Sequence, residues 1–541
     1  MPATPPSALP SSDVPQRCDL LVVGGGVNGA GIARDAAGRG LSVVLAEKDD
    51  LAAHTSSAST KLIHGGLRYL EHYEFGLVRK ALAEREVLLR SAPHIMWPLR
   101  FVMPHDPSMR PASMIRLGIW LYDHLARREV LPASEAIRLA GHPAGEPLKP
   151  RFSRAFVYSD GWVDDARLVV LAARDAADRG ATVLTRTRVT GAEPAAGGWR
   201  VRLRDDSAAA PIGREEADGP SAGKSAGGSV ERTVHARALV NAAGPWAMQF
   251  LSEGLGRRSK RGLRLIRGSH IVVPRLFDHD MAYIFQNADK RIVFAIPYEQ
   301  DFTLIGTTDV EHHEDPGRVR ADQAEVAYLC ELAGRCFKAE VSPSDVVWSY
   351  SGVRPLLDDE AGDPSAVTRD YLLELERVPA PLLTVWGGKI TTFRKLAEEA
   401  VDLLAPELGT HAPGWTGGAK LPGGDLSGSI RETGQPERDF ASFALAKAAL
   451  LPWLPAPLLQ RWARLYGSRL DRIVGDARSL EGLGSEVAPG LYEVELRYLV
   501  REEWARSAED VAWRRTKLGL RLAPAELARI EDWLQANRPA R

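Results

Sequence analysis

The stretch "CDLLVVGGGVNGAGIARDAAGRGLSVVLAEKD", Cys18 to Asp49, decides the fold. Leu20 to Val23 is a short continuous apolar run, the pattern of a strand buried on both faces of a parallel sheet. Glycines follow at once, and Ala30 to Ala37 then read as a helix that Gly38 or Gly40 ends. "LSVVLAEK" is a second β-rich run. Strand, turn, helix and strand within about thirty residues make a βαβ unit. Gly24, Gly26 and Gly29 form G-x-G-x-x-G at its first junction, and seventeen residues separate Gly29 from Glu47. The first glycine permits a tight turn, the second lets backbone approach a pyrophosphate, and the third lets helix pack close on strand. The helix N-terminus attracts phosphate, and Glu47 suits a ribose diol. The pattern therefore reads as a dinucleotide site and not as a structural glycine turn.

The chain around this unit has 541 residues, 45% hydrophobic and 26% charged, with a net charge of -1. That length supports several domains and ordinary globular cores. The near-zero charge gives no basic field for nucleic acid. Cys18, Cys330 and Cys336 fit neither a metal spacing nor a disulfide framework, which suits a reducing cytoplasm. The first residues, "MPATPPSALPSSDVPQ", lack the features of a signal peptide and read as a disordered tail over 1–16. No apolar run reaches the roughly 18 residues of a membrane span.

Farther along, Leu77 to Arg90 and Met114 to Arg128 read as helices. "LVNAAGPW" and "LLTVWGGKITT" read as further strand–glycine–helix turns, and "DDSAAAPIGREEADGPSAGKSAGGSV" as a flexible insertion. Residues 264–350 carry several β-like runs, and beyond about Pro422 the pattern is mostly helical. G-x-G-x-x-G alone does not separate FAD from NAD. An N-terminal βαβ unit with glycine turns returning much later favours the longer cofactor, FAD.

At this point the chain resembles the FAD-dependent, respiratory, quinone-linked glycerol-3-phosphate dehydrogenases. The resemblance rests on "VVGGGVNGAGIARDAAGRGLSV", "TSSASTKLIHGGLRYLEHYEF", "YSDGWVDDARLV", "NAAGPW", "RGSHIVVP", "DKRIVFAIPY", "IGTTDVE", "YSGVRPL", "TRDY", "GGKITTFRKLAE" and "AWRRTKLGL", which span nearly the whole chain. It implies an α/β architecture: a Rossmann-like FAD-binding domain interleaved with a β-rich substrate domain over 17–422, then a C-terminal α-helical domain over 423–541. FAD would be held mainly by 17–110, 155–250 and 345–405, and substrate mainly by 110–155 and 255–345.

The resemblance also implies site residues. Noncovalent FAD would be held by Gly24, Gly26, Asn28, Gly29, Glu47 and Lys48 at the first turn. Along the next segment, Thr55, Ser56, Ser57, Ser59, Lys61, Leu62, His64 and Gly65 would follow the flavin, with Ser57, Ser59 and Lys61 as donors. Val189, Ala243, Gly244, Gly352, Gly388, Lys389 and Thr391 would complete the site. Glycerol 3-phosphate is an anion, so its pocket needs fixed cations, for which arginine forks are suited. Arg68, Tyr69, Arg354, Arg369 and Lys389 would converge there with His270. Oxidation removes a hydride from C2 and a proton from its hydroxyl. His270 is the first choice of base because unperturbed imidazole titrates near neutrality. Arg354 is the alternative, better suited to stabilising an alkoxide.

No metal cluster appears, and "EHHED" (Glu311 to Asp315) reads as a solvated loop. Met114 to Arg128 reads equally as a core-facing helix or as a basic amphipathic helix lying on a membrane. The resemblance favours the latter: a cytoplasmic protein held peripherally at the inner face of the cytoplasmic membrane, reducing a quinone. The oligomeric state is left open between monomer and homodimer. Competing functions are an oxygen-using glycerol-3-phosphate oxidase, an amino-acid oxidase and a non-catalytic flavin-binding regulator.

Overall fold

The computed structural model describes residues 14–106, 111–206, 230–286, 291–358 and 370–538. Arg369, the start of the Pro-rich tail and the centre of the Gly/Ser insertion lie outside the described residues. The opening stretch forms strand β1 (Arg17–Val23), helix α1 (Val27–Gly38) and strand β2 (Val43–Ala46). β1 pairs in parallel with β2 on one side and with Val230–Asn241 on the other. Leu382–Trp386 and Thr182–Leu184 extend the parallel core at its two ends. Strands buried on both faces explain the unbroken apolar runs. α1 is built from small residues, and its buried Ala30, Ile32, Ala33 and Ala36 pack into the largest apolar cluster.

A second sheet of ten strands stands beside the first. Met96–His105, Arg154–Val163 and Trp348–Leu357 belong to it, although the sequence reading places them in the FAD portion. Each pairs antiparallel with a strand of that sheet, long-range pairing that a local pattern does not specify. The fold class is the one expected: a parallel nucleotide-binding sheet, a β-rich second layer and a helical C-terminal part. Beyond Pro422 the helices Pro436–Leu450, Ala456–Tyr466, Glu493–Glu503 and Pro524–Ala536 enclose their own apolar cluster.

Helix α2 (Phe75–Ser91), helix α3 (Ala112–His124) and helix α4 (Asp165–Asp178) flank the sheets. The C-terminal part reaches α4 and the loop after β2 through buried ion pairs. Arg167 of α4 pairs with Glu503, Lys517 Nζ lies 3.1 Å from Asp164, and Arg515 grips Asp50 at 2.7 and 2.8 Å.

Candidate active site

A cavity of about 640 Å³ runs between the two sheets, in the range of a cofactor pocket. One end is the first glycine turn. Gly24 has φ +106°, and a Cβ there would meet Ala242 O at 2.5 Å. A Cβ on Gly29 would lie 1.9 Å from Gly24 O, so Gly29 is where helix and strand touch, off the cavity lining. α1 starts at Val27 with no cap from its N-cap residue Gly26 and no acidic residue in its first turn, Ser56 Oγ taking the Val27 N–H. That open, positive helix end suits a pyrophosphate.

Glu47 is buried at this end, and its carboxylate accepts N–H bonds from Gly25 (2.6 Å) and Asp49 (2.8 Å). Burial raises its pKa, and those N–H bonds oppose the rise. A carboxylate has about four acceptor positions, so two remain for a ribose diol. Lys48 lies 4.3 Å from the Trp246 ring centre, and His54 packs against the same ring at 4.6 Å. Asn28 donates to Gly387 O at 3.2 Å, while its buried Oδ1 has no partner among the described residues. An open helix end, a half-used buried carboxylate and an orphaned amide oxygen in one cavity fit FAD.

The segment from Thr55 to Tyr69 forms one wall. Thr55, Ser56, Ser59, Leu62, His64 and Tyr69 line the cavity. Ser56 Oγ accepts from Val27 N–H at 3.0 Å. Thr55 donates to Val353 O at 2.7 Å, and His64 N–H donates to Thr391 Oγ1 at 3.1 Å. Ser57, Lys61, Gly65 and Arg68 stand off the lining. Lys61 is only 1% exposed, and its ammonium donates to Asp165 (2.7 Å) and Ser57 O (3.1 Å). Burial and Lys517 lower its pKa, and Asp165 opposes them. Its donors are therefore committed to protein, in contrast to the expected role on the flavin. Gly65 lies against Leu82 and Tyr122. Arg68 and Tyr69 share a 3-10 turn, Leu67–His72. Successive residues there point about 120° apart, so an inward Tyr69 turns Arg68 aside. Val189, Ala243, Gly244, Gly352, Gly388, Lys389 and Thr391 all line the cavity.

His270, Arg354, Lys389 and Tyr69 gather on the same cavity. Lys389 Nζ sits 3.7 Å above the Tyr69 ring. Arg354 Nη2 contacts Asp309 at 2.7 Å and donates to Thr308 O at 2.9 Å. His270 is 2% exposed, stacks on Tyr350 at 4.8 Å, and has Nε2 2.9 Å from Thr60 Oγ1. Its Nδ1 has no partner among the described residues. Burial, then the charges of Lys61 and Arg354, push this imidazole well below its ordinary pKa. The expectation of near-neutral titration is thus corrected: the ring is held neutral.

Thr60, His54, Trp246 and Arg188 line the cavity but escaped the sequence reading, as did Asp165 behind it. The paired acids of "VDDARLV" are a helix-start signal: Asp164 is the cap and Asp165 the acid of the first turn. Among the described residues no group of His, Cys, Asp and Glu could hold a metal. Of the stretch expected to be a solvated loop, Glu311 ends a short strand (Val310–Glu311), His312 is buried, and His313, Glu314 and Asp315 are exposed.

Two family models match, "FAD dependent oxidoreductase" over residues 19–394 and "C-terminal domain of alpha-glycerophosphate oxidase" over 415–535. The chain is 50% identical to a glycerol-3-phosphate dehydrogenase of Pseudomonas aeruginosa over 98% of both chains. It is 49% identical to a D-erythritol 1-phosphate dehydrogenase of Brucella abortus, over 96% of this chain and 98% of that one. The solved glycerol-3-phosphate dehydrogenase of Bacillus halodurans, complexed with FAD, superposes with a TM-score of 0.68 at 27% identity, covering 96% and 94% of the two chains.

Proposed function

The chain belongs to the FAD-dependent oxidoreductase family, and from that premise we propose that it oxidises sn-glycerol 3-phosphate to dihydroxyacetone phosphate and passes the electrons to a membrane quinone. FAD, when bound, supplies the hydride acceptor. The observation that carries the reading is the meeting of Arg354, Lys389, Tyr69 and a neutral His270 on the cavity that begins at the glycine turn. Lys389 and Arg354 hold the phosphate, and Asp309 orients the guanidinium. His270, on the cavity lining, is the base for the C2 hydroxyl proton. The bound phosphate's negative charge raises the proton affinity that Lys61 and Arg354 depress. Arg354 keeps its proton and stabilises the developing alkoxide. Arg68, off the lining, and Arg369, outside the described residues, have no part in this reading. Every residue used comes from one chain, so it requires no homodimer.

The electron acceptor is argued from α3. Met114, Leu117 and Trp120 are 57%, 64% and 54% exposed along it, while Ile119 and Tyr122 face inward. Arg116 and Arg127 stand exposed beside them. Among the described residues no helix is long and apolar enough to cross a membrane. An outward apolar row with basic neighbours suits peripheral contact with an anionic leaflet, the inner face of the cytoplasmic membrane, where quinone is available.

The Brucella relative supports a second substrate, a four-carbon polyol phosphate. Comparing kcat/KM for sn-glycerol 3-phosphate, D-erythritol 1-phosphate and unphosphorylated glycerol tests the assignment. The three-carbon phosphate is expected to lead, with glycerol inert. A quinone is expected to be reduced once per turnover with negligible peroxide. Stoichiometric peroxide in the presence of quinone would make the protein an oxidase.

A further inference from the structure

The stretch "AWRRTKLGL", Ala512 to Leu520, stands off the cavity, yet it braces the end at the first glycine turn from behind. Asp510–Arg515 winds as a π-helix, a rare form that recurs at functional sites, and Thr516 N–H donates to Val511 O at 3.0 Å. Arg514 Nε and Arg515 Nη1 both donate to Asp50 Oδ2 at 2.7 Å, and Arg515 Nη2 donates to Asp50 Oδ1 at 2.8 Å. Arg515 is anchored in turn on Glu503 O at 2.6 Å, and Arg514 on Asp510 at 2.6 Å. Two cavity walls meet this knot. Asp50 is buried in the loop after β2, whose Glu47, Lys48 and His54 line the cavity while Asp50 itself does not. Arg186 donates its side chain to Asp510 at 2.7 Å and its N–H to Asp49 O at 2.7 Å, and it leads into the strand that brings Arg188 and Val189 to the lining. The segment is also pinned elsewhere: Trp513 stacks on Trp348 of the second sheet at 4.3 Å, and Lys517 Nζ lies 3.1 Å from Asp164.

We infer that Asp50 is a positioning residue for FAD: the C-terminal part, through Arg514 and Arg515, holds Asp50 and so sets Glu47 where a ribose diol can reach it. Cofactor binding and the docking of the C-terminal segment therefore strengthen each other. The inference rests on FAD in this cavity and is independent of the substrate oxidised there. Three charge-assisted bonds, two of them from one guanidinium fork, fix both the place and the plane of the Asp50 carboxylate. Glu47 stands three residues earlier in the same loop, with Gly25 and Asp49 N–H groups already on its oxygens. Its remaining acceptor positions serve a diol only within hydrogen-bond range, so a loop that drifts loses them. A ligand that favours the braced loop tightens the brace by the same factor, because coupling between two binding events is reciprocal.

Asp50→Asn keeps the shape and gives up the charge. Full-length protein stripped of FAD and titrated with it, followed by flavin fluorescence, is expected to show a Kd about 5- to 150-fold higher in the variant than in the parent. A knot that served stability alone would lower the urea midpoint and leave Kd within about twofold, and that result overturns the inference. A second readout needs no variant. Residues 503–520 line no part of the cavity, yet FAD is expected to slow amide hydrogen exchange across them in the parent. In Asp50→Asn that protection is expected to shrink, while the protection of the glycine turn at 19–31 persists once FAD is saturating. Exchange over 503–520 that is indifferent to FAD in the parent overturns the inference. If the variant does not fold, the parent's exchange decides. If glycerol 3-phosphate fails to reduce the bound flavin, the proposed function falls while the titration and the exchange still test the brace.

Discussion

His94 should make the protein lose stability in acid, by an amount the structure fixes. The ring is fully buried, neither nitrogen has a partner among the described residues, and glycines 423 and 467 of the C-terminal part close on it. A Cβ on Gly467 would stand 3.0 Å from its Cγ. Burial, then the charges of Arg167 and Arg464, lower its pKa from 6.5 to about 3. The folded state therefore resists a proton that the unfolded chain accepts. Stability from this group is complete above pH 6.5 and drains away between pH 6.5 and 3. At pH 5 the gap from 6.5 is 1.5 units, or about 2 kcal/mol at 1.36 kcal/mol per unit. His94→Asn cannot titrate. Urea unfolding of parent and variant, followed by flavin fluorescence, should give a stability difference that shrinks by about 2 kcal/mol between pH 7.5 and pH 5. A difference constant with pH would refute the reasoning.

The remaining predictions concern the cofactor, the substrate and the membrane. Gly29→Ala puts a methyl 1.9 Å from Gly24 O, where backbone must move to admit it. Overpacking of about 1–3 kcal/mol should weaken FAD binding about 5- to 150-fold in a fluorescence titration, and an unchanged Kd would contradict that role. Arg354→Ala removes the cavity's guanidinium and leaves Asp309 without its cation, and should lower kcat/KM at least about 100-fold while FAD stays bound. Loss of the cofactor instead would reassign the residue. Leu117→Glu with Trp120→Glu should abolish sedimentation with anionic vesicles but preserve turnover with a water-soluble acceptor. Undiminished sedimentation would remove α3 from the membrane contact.

The first βαβ unit was legible because its signals are local: an unbroken apolar run, three spaced glycines, and an acid at the end of the next strand. Glu47 and the glycine turns could be placed for the same reason. Lys61 misled because a lysine among serines looks like a donor set, and its true partner, Asp165, is distant in the chain and joined to it only by folding. Arg68 misled because neighbours in sequence diverge on a 3-10 turn. α3 carries apolar residues on two faces, and only the packed structure shows that Ile119 and Tyr122 turn inward and leave Leu117 and Trp120 outside. The neutral state of His270 comes from its burial, and then from the charges of Lys61 and Arg354, none of which a window around "RGSHIVVP" contains.

The most direct measurement is the absorbance spectrum of the FAD-loaded protein, mixed with sn-glycerol 3-phosphate in the absence of oxygen. The yellow band should bleach, return on adding a quinone, and be untouched by glycerol. A band that the phosphate leaves unchanged would contradict the assignment of this cavity to glycerol 3-phosphate oxidation.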